Sequence, residues 1–128
     1  MNKTFLITAA LLGALTVALG VFGSHGLKDK VNDYTLGIFE TAVKYQFYHV
    51  FALLAAAILF QQFGNTWMLW SGRLFIAGIV IFCGSLYTLT FFLANNNETM
   101  KWLGAITPLG GVCFISGWIC MAVAVWKQ

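Results

Sequence analysis

The sequence predicts an all-α integral membrane protein, a single-domain bundle of four transmembrane helices. Three observations carry that prediction. Of the 128 residues, 60% are hydrophobic and only 9% charged, against about 25% charged in a soluble domain, so the folded chain cannot clothe itself for water. Four apolar runs, Phe5–Gly23, Ala42–Phe60, Leu74–Leu93 and Trp102–Trp126, each reach the ~20 residues that a helix needs to cross a ~30 Å hydrocarbon core. The connections between them, about Ser24–Asp33, Gln61–Arg73 and Ala94–Lys101, are too short to fold on their own. Any chemistry therefore lies within the bilayer or at its surface.

The first run follows Lys3 but is longer than the apolar region of a signal peptide. Its end, Gly20-Val21-Phe22-Gly23, is a poor cleavage site, so an uncleaved first helix is expected. Ala9, Gly13, Thr16, Gly20 and Gly23 recur along it at alternating helical spacings. Small residues on one stripe let helix backbones approach closely, which is how packing is gained in lipid. His25, just past the end of the run, is expected to cap its last carbonyls.

The second run has an amphipathic lead from about Tyr34 and carries the chain's concentration of polar chemistry. Glu40 and Lys44 stand one turn apart, in the favourable order for a helical ion pair at the membrane boundary. Glu40, Lys44 and Tyr48 lie on one helical row, and Tyr45 and His49 on the next, in line with Ala52 and Ala56. These five polar residues are read as a candidate track descending from the interface toward the bundle interior. Three roles are open for His49: a neutral imidazole hydrogen-bonded across the bundle, with Ser85 or Tyr87 as partner; a proton or ion site; or a haem or metal ligand. The only other histidine, His25, lies at a depth differing by roughly 10 Å, which disfavours paired ligation within one chain.

The third run offers a looser small-residue stripe in Ala77, Gly84 and Thr88, with Cys83 alongside. The fourth carries Gly110, Cys113, Gly117, Cys120 and Ala124 at alternating spacings. Cys113 and Cys120 hold small-residue positions, no Cys-x-x-C occurs and no His lies at ligand spacing, so neither a disulfide frame nor a metal is expected. Near the start of this run Thr107-Pro108-Leu109-Gly110-Gly111 interrupts the helical pattern. Pro108 either marks the helix start or breaks a helix beside an ion or substrate site. Trp67, Trp70, Trp102 and Trp126 fall at span ends, where amphipathic rings favour the headgroup level, whereas Trp118 lies deeper and is read as packing. Asn95-Asn96-Asn97 is read as a turn.

A net charge of +3 is too dispersed to form a basic patch, and no Gly-rich phosphate loop is present, so nucleic acid is excluded as a partner. Lys3, Arg73 and Lys127 on one side nearly balance Lys28, Lys30 and Lys101 on the other. The positive-inside rule therefore leaves the orientation undecided.

Four strings, Gly20–Leu27, Glu40–His49, Phe82–Tyr87 and Leu103–Gly111, together with Phe114 and Gly117-Trp118, resemble the bacterial membrane family called domain of unknown function 423, or uncharacterised protein family 0382. That family is similar to eukaryotic transmembrane protein 256. The Tyr-Gln-x-Tyr-His and Ile-Thr-Pro-x-Gly-Gly strings are the most specific parts of the resemblance, which runs through all four spans. Ser24 stands where the family usually has Ala, and Cys83 where it usually has Ser. The resemblance implies a multi-pass protein of the bacterial cytoplasmic membrane and carries over no catalytic residue, because the family has no established activity.

The function expected from the residues is that of a non-enzymatic packing or accessory module without a cofactor. Its partners would be the lipid bilayer and a homo-oligomer or larger membrane complex, engaged through the stripes of Gly13, Gly20, Gly23 and Gly117. The alternative is a small-ion or proton transporter. A transporter should set Thr107–Gly111 against a cavity beside His49, and a module should bury that segment dry.

Overall fold

The computed structural model describes residues 1–127, which form helices joined by short turns. The helices are α1 (Lys3–Phe22), α2 (Asp33–Phe63), α3 (Thr66–Gly78), α4 (Gly84–Ala94) and α5 (Thr107–Trp126). A π turn, Gly23–Leu27, extends α1, and a second, Ile79–Cys83, joins α3 to α4 as one rod. A 3-10 turn, Lys101–Ala105, leads into α5. The result is four rods, Lys3–Leu27, Asp33–Phe63, Thr66–Ala94 and Lys101–Trp126, each long and apolar enough to cross a membrane. The all-α membrane bundle read from composition is the observed architecture.

Helix starts arise from local capping chemistry. Asn2 accepts from the Phe5 N–H at 3.0 Å, Asn32 from Thr35 at 2.8 Å and Asn65 from Met68 at 3.1 Å. Each satisfies a first-turn donor that the helix itself leaves without a partner. The Asn65 cap corrects the expected loop over Gln61–Arg73: α2 continues to Phe63 and α3 begins at Thr66, so Gly64 and Asn65 alone make the turn. The Asn32 cap likewise starts α2 at Asp33, well ahead of Ala42. Span four, by contrast, starts its α-helix late. Pro108 occupies the first turn of α5, where its missing N–H has no acceptor to lose.

Helix α2 is the spine of the bundle. Thr35, Phe39, Ala42, Gln46, His49, Leu53 and Ala56 are all buried and alternate in spacings of four and three along one face. Helix α1 lays its small-residue stripe on that spine: Ala9 and Thr16 are buried, Gly13 faces Val50, Gly20 faces Val43, and Gly23 sits against the Phe39 ring. Helix α3 packs most extensively against α5, where Gly117 meets Phe75 and the Ser71 carbonyl and Gly78 meets Phe114. Gly110 lies directly on the Phe82 backbone, 2.7 Å from the Phe82 Cα for a methyl built on Gly110.

The ends are ordered alike. The Asn2 N–H donates to the Ala57 carbonyl at 2.9 Å, and Asn65 Nδ2 donates to the Ala124 carbonyl at 2.9 Å. The start of α1, the α2–α3 turn and the end of α5 therefore gather at one end of the bundle. There the Arg73 guanidinium lies over the Trp70 ring at 5.2 Å, and the Lys127 ammonium over the Trp67 ring at 5.9 Å. Ile7, Leu11 and Leu15 of α1 and Val112, Ile115 and Ile119 of α5 face outward, as a bilayer solvent permits.

These approaches differ in how they respond to an added methyl. Gly110→Ala forces two backbones apart and should lower stability in detergent by about 1–3 kcal/mol. Gly20→Ala meets only Val43 at 3.7 Å and should leave the thermal midpoint nearly unchanged. Equal melting of the two variants would show that the π turn at Phe82 and α5 do not meet at Gly110.

Candidate functional site, a buried polar and aromatic core

Gln46 and His49 are the polar residues at the middle of the α2 inner face, exposed by only 1% and 5%. They serve two separate clusters. Gln46 lies between α1 and α4. Its Nε2 donates to Thr16 Oγ1 at 2.7 Å, and its Oε1 accepts from the Tyr87 hydroxyl at 2.7 Å. Thr16 Oγ1 in turn donates to the Leu12 carbonyl at 2.6 Å. Because Thr16 gives its only proton to that carbonyl, it can only accept from Gln46, which fixes the amide orientation. The bonds run one way, from Tyr87 through Gln46 and Thr16 to Leu12, and stitch three helices together.

His49 faces α3 and α5. Its Nδ1 is 2.7 Å from the Tyr45 carbonyl, one turn back, and its Nε2 is 3.1 Å from the Trp118 indole Nε1. A carbonyl can only accept and an indole N–H can only donate, so both bonds demand the same neutral Nδ1–H tautomer. Phe114 stacks on the imidazole with centroids 3.5 Å apart and planes within 8°. Phe75 lies at 5.8 Å and Trp118 at 5.9 Å, completing an aromatic enclosure. The expected partners of His49, Ser85 and Tyr87, are engaged elsewhere. Ser85 Oγ meets Thr107 Oγ1 at 2.7 Å and the Phe82 carbonyl at 2.8 Å, while Tyr87 serves Gln46.

The geometry disperses the five-residue polar track. Glu40, Lys44 and Tyr48 are exposed on the outer side of α2, with Tyr48 at 56%. Tyr45 sits at the edge, its ring stacked on Phe82 at 4.7 Å. Only His49 enters the interior. The row 40, 44, 48 diverges from the inner face because the buried row is 35, 39, 42, 46, 49 and 53. Nor do Glu40 and Lys44 form the expected ion pair: among the described residues the one salt bridge joins Lys101 to Glu98 at 3.8 Å. Gln46 is the core residue that the polar track leaves out. It stands in the Tyr-Gln-x-Tyr-His string, three residues before His49 and four after Ala42, which is the spacing that places it on the inner stripe.

The span-four segment is divided. Thr107 is half-buried against Ser85 and Gly110 is packed on Phe82, while Pro108 faces outward and Gly111 has open space where a Cβ would be. Of the cysteines, Cys83 is buried with its thiol donating to the Ala42 carbonyl at 3.3 Å, and Cys113 and Cys120 are half-buried. His25 lies exposed in the π turn after α1. Among the described residues no three His, Cys, Asp or Glu side chains gather where they could hold a metal.

Two measurements check this core. Removing the Gln46 amide by Gln46→Leu leaves the Tyr87 hydroxyl without its acceptor and Thr16 Oγ1 without its donor, and should cost about 1–2 kcal/mol. In a double-mutant cycle with Tyr87→Phe the losses should be markedly less than additive; additivity would mean that the two side chains do not meet. Nitrogen-15 NMR of His49 at neutral pH should show the Nδ1–H tautomer, and an Nε2–H signature would contradict the Trp118 bond.

The family described as protein of unknown function DUF423 matches residues 19–111 of the chain. The chain is 43% identical over 126 residues to the UPF0382 membrane protein YwdK of Bacillus subtilis, covering 98% of each. It is 42% identical over 125 residues to a UPF0382 membrane protein of Staphylococcus aureus, covering 98% of this chain and 97% of the relative. A Staphylococcus epidermidis UPF0382 membrane protein is 43% identical over a similar span of 125 residues. No solved structure matches the chain. A four-rod membrane bundle matched along nearly its whole length by such relatives belongs to the DUF423, or UPF0382, family of membrane proteins.

Proposed function

We propose that this protein is a non-enzymatic accessory module of the bacterial cytoplasmic membrane, which associates with a larger membrane complex or with copies of itself. The observation that carries this reading is how the interior polar groups are used. Both His49 ring nitrogens are bonded within the chain, and the ring is enclosed by Phe114, Phe75 and Trp118. A proton or ion carrier needs a titratable group open to a water path. Five surface clefts of the molecule are lined by residues other than His49 and Thr107–Gly111. Gly110, the buried member of that segment, is closed over by Phe82. The bacterial relatives support the cytoplasmic membrane as the location, since the bacterial helical-bundle architecture belongs there.

Affinity purification from native membranes in mild detergent should recover the chain in a stoichiometric assembly larger than the monomer. Purified protein alone in liposomes should pass no protons or monovalent cations above the empty-vesicle rate. Flux from the pure protein that His49→Gln abolishes, with the variant still folded, would replace this reading with transport.

A further inference from the structure

Helices α1 and α2 part at one end of their seam into a groove of about 250 Å³. Its floor is apolar: Gly20 and Gly23 contribute no side chains, and Phe39 and Val43 form the opposite wall. Three polar groups also line it, namely the Ser24 hydroxyl and the Glu40 and Lys44 side chains. Among the described residues none of the three has a hydrogen-bond or ion-pair partner in the protein. This is unusual for Glu40 and Lys44, which stand one turn apart in the order that favours pairing.

The groove also has a definite depth. Ser24 comes directly after the apolar run of the first span, and Lys44 marks the start of the long apolar stretch of α2. Both charges therefore sit at headgroup level, where Lys side chains commonly reach out of the hydrocarbon. The apolar floor runs from there toward the bilayer centre. An occupant must then carry a cation for Glu40, an anion for Lys44 and a hydrocarbon chain for the floor, with a hydrogen-bonding group for Ser24.

From this complementarity we infer that the groove between α1 and α2 is a binding site for a zwitterionic phospholipid with a primary ammonium, a phosphatidylethanolamine. The ammonium donates to Glu40, the phosphate accepts from Lys44 and Ser24, and one acyl chain lies over Gly20 and Val43. A charge-assisted contact to Glu40 needs N–H donors, which an ethanolamine headgroup has and a choline headgroup lacks. A phosphatidylglycerol headgroup offers the same phosphate to Lys44 but carries no cation for Glu40.

The test is lipid retention by the full-length protein. It is reconstituted in turn with phosphatidylethanolamine, phosphatidylcholine or phosphatidylglycerol, stripped with delipidating detergent, and analysed by native mass spectrometry. Phosphatidylethanolamine should be retained over phosphatidylcholine by roughly tenfold or more, the effect of about one charge-assisted hydrogen bond. Glu40→Gln should abolish that preference, and Lys44→Gln should lower retention of both lipids. Both side chains are exposed, so the variants should keep wild-type circular dichroism and elution volume. Equal retention of ethanolamine and choline lipids overturns the assignment. So does a preference for phosphatidylglycerol, or an ethanolamine preference that survives Glu40→Gln in the folded variant.

Discussion

The hydrogen-bond chain from Tyr87 through Gln46 and Thr16 to the Leu12 carbonyl rests on a constraint that governs the whole bundle. Within hydrocarbon a polar group finds its partner in the protein or goes without, and going without costs several kcal/mol. A fully buried glutamine on α2 thus requires an acceptor on one neighbouring helix and a donor on another, at matching depth. Sliding either helix by one turn would leave the amide unsatisfied. Among the described residues no buried side-chain nitrogen or oxygen lacks a partner. The register of α1 and α4 against α2 is set by that requirement more than by apolar packing, which lipid offers equally on every side.

Close backbone approach supplies the second constraint. Gly110 admits the backbone of Phe82, and Gly117 admits Phe75 and the Ser71 carbonyl, to which Ser71 Oγ adds a reciprocal bond to the Gly117 carbonyl at 2.8 Å. The π turn at Ile79–Cys83 lies in this seam, because it contains Phe82. Such a turn inserts one residue into the helix and rotates the helix beyond it relative to the helix before it. Here it presents Phe82 to α5 and Cys83 to the Ala42 carbonyl on α2. One rod thereby serves two neighbours, with α3 packed on both α5 and α2 and α4 packed on α2.

These constraints divide the polar residues into two sets. Those at the core, Gln46, His49, Ser71, Thr16 and Tyr87, are bonded to groups of the chain itself and hold helices in place. Glu40, Lys44 and Ser24 lie at the rim with their bonding capacity unused by the protein. The core side chains find their partners within the chain, whereas those at the rim keep hydrogen-bonding capacity that the protein leaves open. Burial, rather than residue type, separates the two sets.

By itself the sequence determined the number of spans and the close-packing stripes of spans one and four, because each rests on local properties. Run length decides spanning, and recurrence of small residues decides close approach. The Asn65 cap and the turn at Gly64-Asn65 came from the structure, against the loop expected over Gln61–Arg73. Only the tertiary structure decided which row of α2 faces inward, and hence that Gln46 belongs to the core, that Tyr48 does not, and that His49 bonds Trp118 rather than Ser85 or Tyr87. In a soluble helix the polar face would have marked the outside. Here lipid and core are equally apolar, so Phe47, Phe51 and Ile58 on the outer side look no different from Leu53 within. Adjacent helical rows are one residue apart, and what chooses between them is the partner for a buried amide, which lies on another helix 30 or 41 residues away in the chain.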